Sequence, residues 1–99
     1  MDRKDAIEIV QKYKDILLNY FNIESVYLYG SYAKSTQHQD SDIDVAIIVD
    51  EISGDYFEIH PLLWKLRRKI DERIEPFLIV KSEDKTGFIN EIKNTGIAV

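Results

Sequence analysis

The chain has 99 residues, 44% hydrophobic and 31% charged, which predicts one soluble globular domain spanning residues 1–99. Its net charge of −5 disfavours stable nucleic-acid binding, and the absence of cysteine excludes disulfides and thiolate zinc sites. No apolar run approaches the ~18 residues of a membrane span and no signal-like segment follows the charged N-terminus, so we expect a cytoplasmic protein without membrane attachment.

The first half of the chain predicts a helix followed by two strands. Apolar residues recur every three or four positions over residues 3–21, which indicates an amphipathic helix. Residues 25–29 form a β-type run that ends at Gly30, with one possible helical turn at 32–35. Residues 42–49 begin in alternation and continue as an unbroken apolar run, typical of a central strand covered on both faces.

The second half predicts a helix, a strand and a closing helix. Because proline is costly inside a helix, we expect the helix over 61–70 to begin at its proline, after an irregular lead-in over 55–60. Residues 74–80 form the third strand, and Pro76, which cannot donate a ladder hydrogen bond, places this strand at an edge or Pro76 among its first residues. A short helix over 86–94 should stop at Gly96. This order predicts an α/β (α+β) fold: a small mixed β-sheet with helices packed against it.

Gly30 and Ser31 follow directly after the first predicted strand. A glycine there lets a bulky ligand approach the backbone, and exposed N–H groups at a turn or helix start can bind phosphate. The Ser31 hydroxyl adds another donor, and Lys34 is either a solvated lysine or a point charge for a triphosphate. By itself this pattern is also that of an ordinary strand-ending turn.

Asp42 and Asp44 lie two positions apart at the start of the second strand, so both carboxylates should share one face. Two neighbouring anions repel each other unless a cation lies between them, which indicates a magnesium site completed by substrate phosphates. Glu75 begins the third strand, held extended by Pro76, and would supply a third carboxylate for one or two metal ions. Asp71 and Glu72 are its competitors for that role.

The combined pattern is more specific than its parts. Ten residues separate Gly30-Ser31 from Asp42, and Asp42-Ile43-Asp44 precedes a carboxylate on a later strand. This resembles the motif of the DNA polymerase beta-like nucleotidyltransferase superfamily, and most closely its minimal nucleotidyltransferase family. The chain departs from that pattern at Ser35, where the family often has glycine, and at Glu75, where it has aspartate.

The resemblance implies a nucleotidyltransferase fold and a magnesium-dependent transfer of a nucleotide, expected to be AMP from ATP, with release of pyrophosphate. It assigns Asp42, Asp44 and Glu75 as the catalytic and metal-binding carboxylates, and Gly30 and Ser31 as the nucleotide-binding pair. Some members resemble antitoxins paired with HEPN-type toxins, so a tyrosine or another hydroxyl of such a toxin is the expected acceptor.

Two alternatives remain open on the sequence. The protein could be an antitoxin-like binding module that masks a partner without needing catalysis, or a magnesium-dependent nucleotide sensor. The sequence does not determine the acceptor, the base of the nucleotide or the oligomeric state. The basic cluster Arg67, Arg68 and Lys69 is either a solvated face or a contact with a partner chain.

Overall fold

The computed structural model describes residues 1–38, 41–51 and 56–99, with the backbone alone for 56–58. Four helices, four strands and one 3₁₀ turn follow one another along these residues: α1 (Arg3–Leu17), β1 (Ser25–Tyr29), α2 (Ser31–Lys34), β2 (Ile43–Val49), α3 (Tyr56–Arg67), β3 (Ile74–Val80), the 3₁₀ turn (Lys81–Glu83), α4 (Phe88–Thr95) and β4 (Ile97–Ala98). Within the described ranges, no helix is both long and apolar enough to cross a membrane.

The four strands form a single mixed sheet in the order β3-β2-β1-β4. Strand β1 is antiparallel to both β2 and β4, whereas β2 is parallel to β3. This confirms the predicted fold class and places β3 at an edge, where Pro76 can lack an N–H without breaking the ladder. The two-residue β4 was not predicted, because so short a segment carries no readable alternation.

The two faces of the sheet are covered unequally. On one face, alternate residues of β1, β2 and β3 pack against α1 and α3 in the larger core cluster. On the other face, the eight-residue α4 packs mainly around Ala46, Ile48 and Ile79, with Tyr27 and Tyr29 at the border of this second cluster. The end of this second face that carries Asp44, Glu75 and Phe77 stays accessible, with Glu75 exposed and Asp44 half-buried.

Helix α1 is fixed at its start by a capping box, in which Asp2 and Asp5 each accept from the other's backbone N–H. The predicted end at residue 21 was wrong, since the helix ends at Leu17. The Leu17 carbonyl accepts from the backbone N–H of both Tyr20 (2.9 Å) and Phe21 (3.0 Å), so the chain turns there. The apolar residues after the turn are therefore not part of the buried helical stripe, and Tyr20 is 52% exposed.

Helix α3 begins at Tyr56, so the prediction that Pro61 starts this helix was wrong. Pro61 lies inside the helix and deprives the carbonyl four residues earlier of its donor. The helix also ends at Arg67 rather than at residue 70. There the Arg67 carbonyl accepts from the N–H groups of Ile70 (3.0 Å) and Asp71 (2.8 Å) in a tight turn that leads directly to β3.

Helix α4 lies close to its predicted position and ends at Gly96 as expected. Its N-terminus is capped by a residue outside the helix: the Asp84 carboxylate accepts from the N–H groups of Phe88 (3.1 Å) and Ile89 (3.2 Å). A carboxylate at a helix start satisfies otherwise unpaired donors and complements the helix dipole. This contact sets where α4 begins, and therefore how much of the second face it covers.

Tyr13 connects α1 to α3, because its buried hydroxyl donates to the Leu63 carbonyl at 2.8 Å. We expect Tyr13→Phe to lower the free energy of unfolding by about 1 kcal/mol, equivalent to roughly 4–8 °C in Tm. Tyr20→Phe is the matched control, since Tyr20 is 52% exposed and should change stability by less than about 0.5 kcal/mol. Equal Tm values for the two variants would show that the buried hydrogen bond contributes nothing.

Candidate active site

The candidate site is a row of side chains that crosses three strands. In the strand registers Asp44 of β2 is paired with Tyr29 of β1 on one side and with Glu75 of β3 on the other. These residues project from the face that α4 leaves partly open, because residues directly opposite in register share a face. The sheet therefore brings together Asp44 and Glu75, which are 31 positions apart in the sequence.

Asp42 precedes β2 and is exposed. Its negative charge acts on both of the others and raises the pKa of Glu75 and of Asp44. All three predicted carboxylates thus lie at one end of the sheet, near enough to interact electrostatically.

The proximity of these anions perturbs their titration. Burial raises the pKa of Asp44, and the negative charge of Asp42 raises it further. Burial also raises the pKa of Glu75, reinforced by Asp42 and Asp44, while the Arg67 guanidinium partly opposes this shift. Tyr29 in the same row has its pKa raised by burial and then by Asp44 and Glu75. Among the described residues, the Arg67 guanidinium offsets this concentration of negative charge only in part.

Such a cluster fits magnesium by its donor chemistry. Carboxylate oxygens are hard ligands, and a divalent cation would relieve the repulsion that raises the pKa values of Asp44 and Glu75. In the described part of the chain, however, no three His, Cys, Asp or Glu side chains already stand as a metal cage. A cation here would accordingly complete its shell with phosphate oxygens or water.

Gly30 is in direct contact with the Asp44 carboxylate. Its backbone has φ 71° and ψ −146°, a conformation that L side chains rarely adopt. A Cβ at this position would overlap Oδ2 of Asp44. Glycine is therefore favoured by the backbone conformation, and any side chain here would also displace the Asp44 carboxylate.

Ser31 begins the short helix α2 immediately beyond Gly30. Gly30 provides no side-chain cap, so the first N–H groups of α2 lack that partner. The Ser31 side chain is half-buried, and among the described residues no group hydrogen-bonds its hydroxyl. Lys34 is the exposed last residue of α2, one helical turn from Ser31. Both remain predicted triphosphate ligands.

Arg3 was not identified from the sequence, although it braces α2. Its guanidinium donates to the carbonyls of Tyr32 (3.1 Å) and Ala33 (2.8 Å) and to the Ser35 hydroxyl. Ser35 ends α2 in the left-handed conformation, with φ 58°. This explains why glycine suits that position in the family. No local pattern could reveal Arg3, because its partners lie about 30 positions away in the sequence.

Ser41 is a second residue that the sequence reasoning missed. It is 6% exposed, and its hydroxyl accepts from the His38 N–H at 2.8 Å while its own N–H donates to the His38 carbonyl at 3.0 Å. These paired bonds connect His38 to Ser41 directly before Asp42. A serine between turn-forming residues and a strand was the available signal, since serine hydroxyls commonly bond nearby backbone.

The structure distinguishes the three candidates for the third carboxylate. Asp71 accepts two hydrogen bonds from the Arg73 guanidinium, at 3.0 and 2.7 Å, and these bonds lower its pKa. Glu72 is exposed and lies before β3 begins. Of the three, only Glu75 is in register with Asp44.

Arg67 does not belong to a purely solvated basic face. Its guanidinium lies 4.7 Å from the centroid of the Trp64 ring and donates to the carbonyls of Glu72 and Ile74. Because Ile74 precedes Glu75, this contact stabilises the start of β3 beside the candidate site.

Comparisons with known proteins identify the family. Residues 11–99 match the family described as Polymerase beta, Nucleotidyltransferase. The chain belongs to this family. A Methanocaldococcus jannaschii protein, provisionally named protein adenylyltransferase MJ0141, is 32% identical over 99 residues, covering 96% of this chain and 99% of that protein. The prediction of a minimal nucleotidyltransferase is confirmed.

Two solved structures confirm the nucleotidyltransferase fold. A Sulfolobus solfataricus protein, provisionally described as a nucleotidyltransferase, has a TM-score of 0.72 at 17% identity and covers 97% of this chain and 80% of its own. A chain from a crystal structure of a toxin–antitoxin with AMP-PNP has a TM-score of 0.60 at 23% identity, covering 99% of this chain and 72% of its own.

The position of Gly30 can be tested against a second glycine of positive φ. Gly30 (φ 71°, ψ −146°) and Gly87 (φ 74°, ψ 21°) differ in ψ, and a Cβ on Gly87 would meet nothing within 4 Å. We expect Gly87→Ala to cost about 1 kcal/mol from backbone strain alone, and Gly30→Ala to cost about 2 kcal/mol or more, because its backbone conformation is less accessible to L residues and its Cβ would meet Asp44. Only Gly30→Ala should also abolish the rise in Tm on adding Mg²⁺ and ATP. An unchanged ligand response in Gly30→Ala would contradict the assignment.

Charge crowding predicts that Asp44→Asn stabilises the metal-free protein at neutral pH, by roughly 2–4 °C in Tm. Because folding raises the pKa of Asp44, its contribution to stability is present at acidic pH and is lost as the pH rises through that raised pKa. The difference between Asp44→Asn and wild type should therefore shrink as the pH falls. Thermal melts in EDTA across the acidic range check this, and a variant less stable than wild type at neutral pH would refute it.

Proposed function

We propose that this protein transfers AMP from ATP to a hydroxyl group of a protein acceptor, with release of pyrophosphate. Membership of the nucleotidyltransferase family and the name of the 32% identical relative support this reaction class. The observation that carries the proposal is the register of Asp44 with Glu75, together with the packing of Gly30 on the Asp44 carboxylate. This arrangement supports a site in which the turn at Gly30 and Ser31 binds phosphate beside the carboxylate cluster.

In the proposed reaction the backbone at Gly30 and Ser31 holds the β- and γ-phosphates, with the Ser31 hydroxyl as an additional donor and Lys34 as a nearby positive charge. Glu75 orients the acceptor hydroxyl and accepts its proton, a role that suits a carboxylate whose pKa is raised. The acceptor oxygen forms a bond to the α-phosphorus as the bond from that phosphorus to the pyrophosphate oxygen breaks.

Asp42, Asp44 and Glu75 would hold magnesium, which when bound supplies positive charge for the attacking hydroxyl oxygen and for the phosphate oxygens of the leaving pyrophosphate. Without it, the three carboxylates would repel the triphosphate. This repulsion is the reason to expect that nucleotide binding requires the divalent cation.

We further propose that the acceptor is a partner protein, with a tyrosine of a HEPN-type toxin as the leading candidate. The structural neighbour from a toxin–antitoxin with AMP-PNP supports both a nucleotide and a protein partner. It equally favours the second candidate function, an antitoxin that masks its partner without catalysis.

The decisive assay is incubation with Mg²⁺ and ATP, with and without the protein encoded by the neighbouring gene. The intact mass of each protein is then measured. We expect the partner to gain the mass of one AMP, and Asp42→Asn and Asp44→Asn to reduce the transfer rate by about 10³-fold or more. Asp15→Asn, the same change at an exposed position on α1, is the control and should retain full activity.

Each function gives a different result. Retained turnover in Asp44→Asn would contradict the catalytic assignment. A stable complex with the partner and no mass gain on any chain would favour the masking function.

A further inference from the structure

Phe77 lies next to the candidate site without a role in the reaction described above. It follows Glu75 by two positions on β3, so the two side chains share a face about 7 Å apart along the strand. Phe77 is 47% exposed, although it is a large apolar residue in the middle of a strand. Its ring packs edge-on against Phe88 at the start of α4, with 5.7 Å between centroids and an interplanar angle of 81°.

The order of the strands indicates whether the nucleotide or the acceptor would contact this aromatic pair. Phosphoryl displacement places the attacking and leaving oxygens roughly in line, on opposite sides of the reacting phosphorus. The triphosphate tail is assigned to Gly30 and Ser31, at the end of β1. Strand β3 lies on the other side of Asp44 in the sheet. The acceptor must therefore approach over β3, where Phe77 and Phe88 present their rings.

The chemistry of this edge restricts the type of acceptor. The adjacent carboxylates and the net charge of −5 oppose a polyanionic acceptor such as an RNA end. Pro76 removes a backbone donor from the edge strand, so the addition of a partner strand is disfavoured. The remaining mode of acceptor binding is contact through the exposed aromatic rings. Rings of this kind pair favourably with another aromatic side chain.

We propose that Phe77 and Phe88 form an acceptor platform, which binds the ring of a tyrosine in the partner protein and presents its hydroxyl to Glu75. This inference rests on the proposed function, because it takes protein adenylylation as the reaction. Phe77 is the specificity-determining residue, since its ring is the more exposed of the two. Phe88 holds that ring in place from the start of α4.

Direct binding tests the platform separately from catalysis. The full chain is prepared with 4-fluorophenylalanine at its four phenylalanines, and the ¹⁹F signal of Phe77 is assigned with a Phe77→Leu variant. We expect N-acetyltyrosinamide to shift this signal, and N-acetylserinamide and AMP at the same concentration to leave it unchanged. A shift with AMP instead would make the pair part of the nucleoside site, and no shift with any probe would also overturn the proposal.

Kinetics on the partner protein gives a second readout. Phe77→Ser should raise KM for the acceptor about tenfold, with kcat and KM for ATP nearly unchanged. Tyr20→Ser is the matched control, because Tyr20 is similarly exposed (52%) but lies beyond α1, outside the row of site residues. A loss in kcat with unchanged acceptor KM would overturn the platform. If wild type transfers nothing, the proposed function fails, while the ¹⁹F titration still decides whether tyrosine binds here.

Discussion

Like-charge crowding at one end of the sheet is the constraint on which the rest of the site depends. Asp42, Asp44 and Glu75 meet there, and burial together with mutual repulsion raises the pKa values of Asp44 and Glu75. A fold selected for stability alone would not hold these groups together, since each costs free energy in its charged form. The cluster is consistent with a site that a divalent cation and a triphosphate complete.

The fold imposes this crowding by its topology. Strand β2 is buried on the α1/α3 face over its whole length, so its position in the centre of the sheet is fixed by the core. Its neighbours then determine what surrounds Asp44: Gly30 at the end of antiparallel β1, and Glu75 in parallel register on β3. The short helix α4 leaves Glu75 exposed and Asp44 half-buried, so the candidate site stays open on that face. On the second face of β2, Ala46 and Ile48 pack under α4 at one end, and Asp44 belongs to the carboxylate cluster at the other.

Much of this arrangement could be predicted from sequence because it is local. The alternation and apolar runs located β1 and β3 to the residue, and the Asp42/Asp44 spacing predicted two neighbouring carboxylates, although Asp42 lies just before β2. Pro61 was misread because proline's local preference for a first turn was overridden by the helix that begins at Tyr56. The choice of Glu75 over Asp71 required the strand register and the Arg73 contact, which no single segment encodes. Arg3 and the Phe77–Phe88 pair depend on contacts between distant segments, and therefore became visible only in three dimensions.

The central claim is that the carboxylate cluster accepts a nucleotide only together with a divalent cation. Calorimetric titration with α,β-methylene ATP, which cannot transfer AMP, measures this without interference from turnover. We predict saturable binding in Mg²⁺, no detectable binding in EDTA, and a loss of the Mg²⁺-dependent binding in Asp44→Asn. Equal affinity with and without Mg²⁺ would contradict the account, because the triphosphate would then be held without any relief of the charge at Asp42, Asp44 and Glu75.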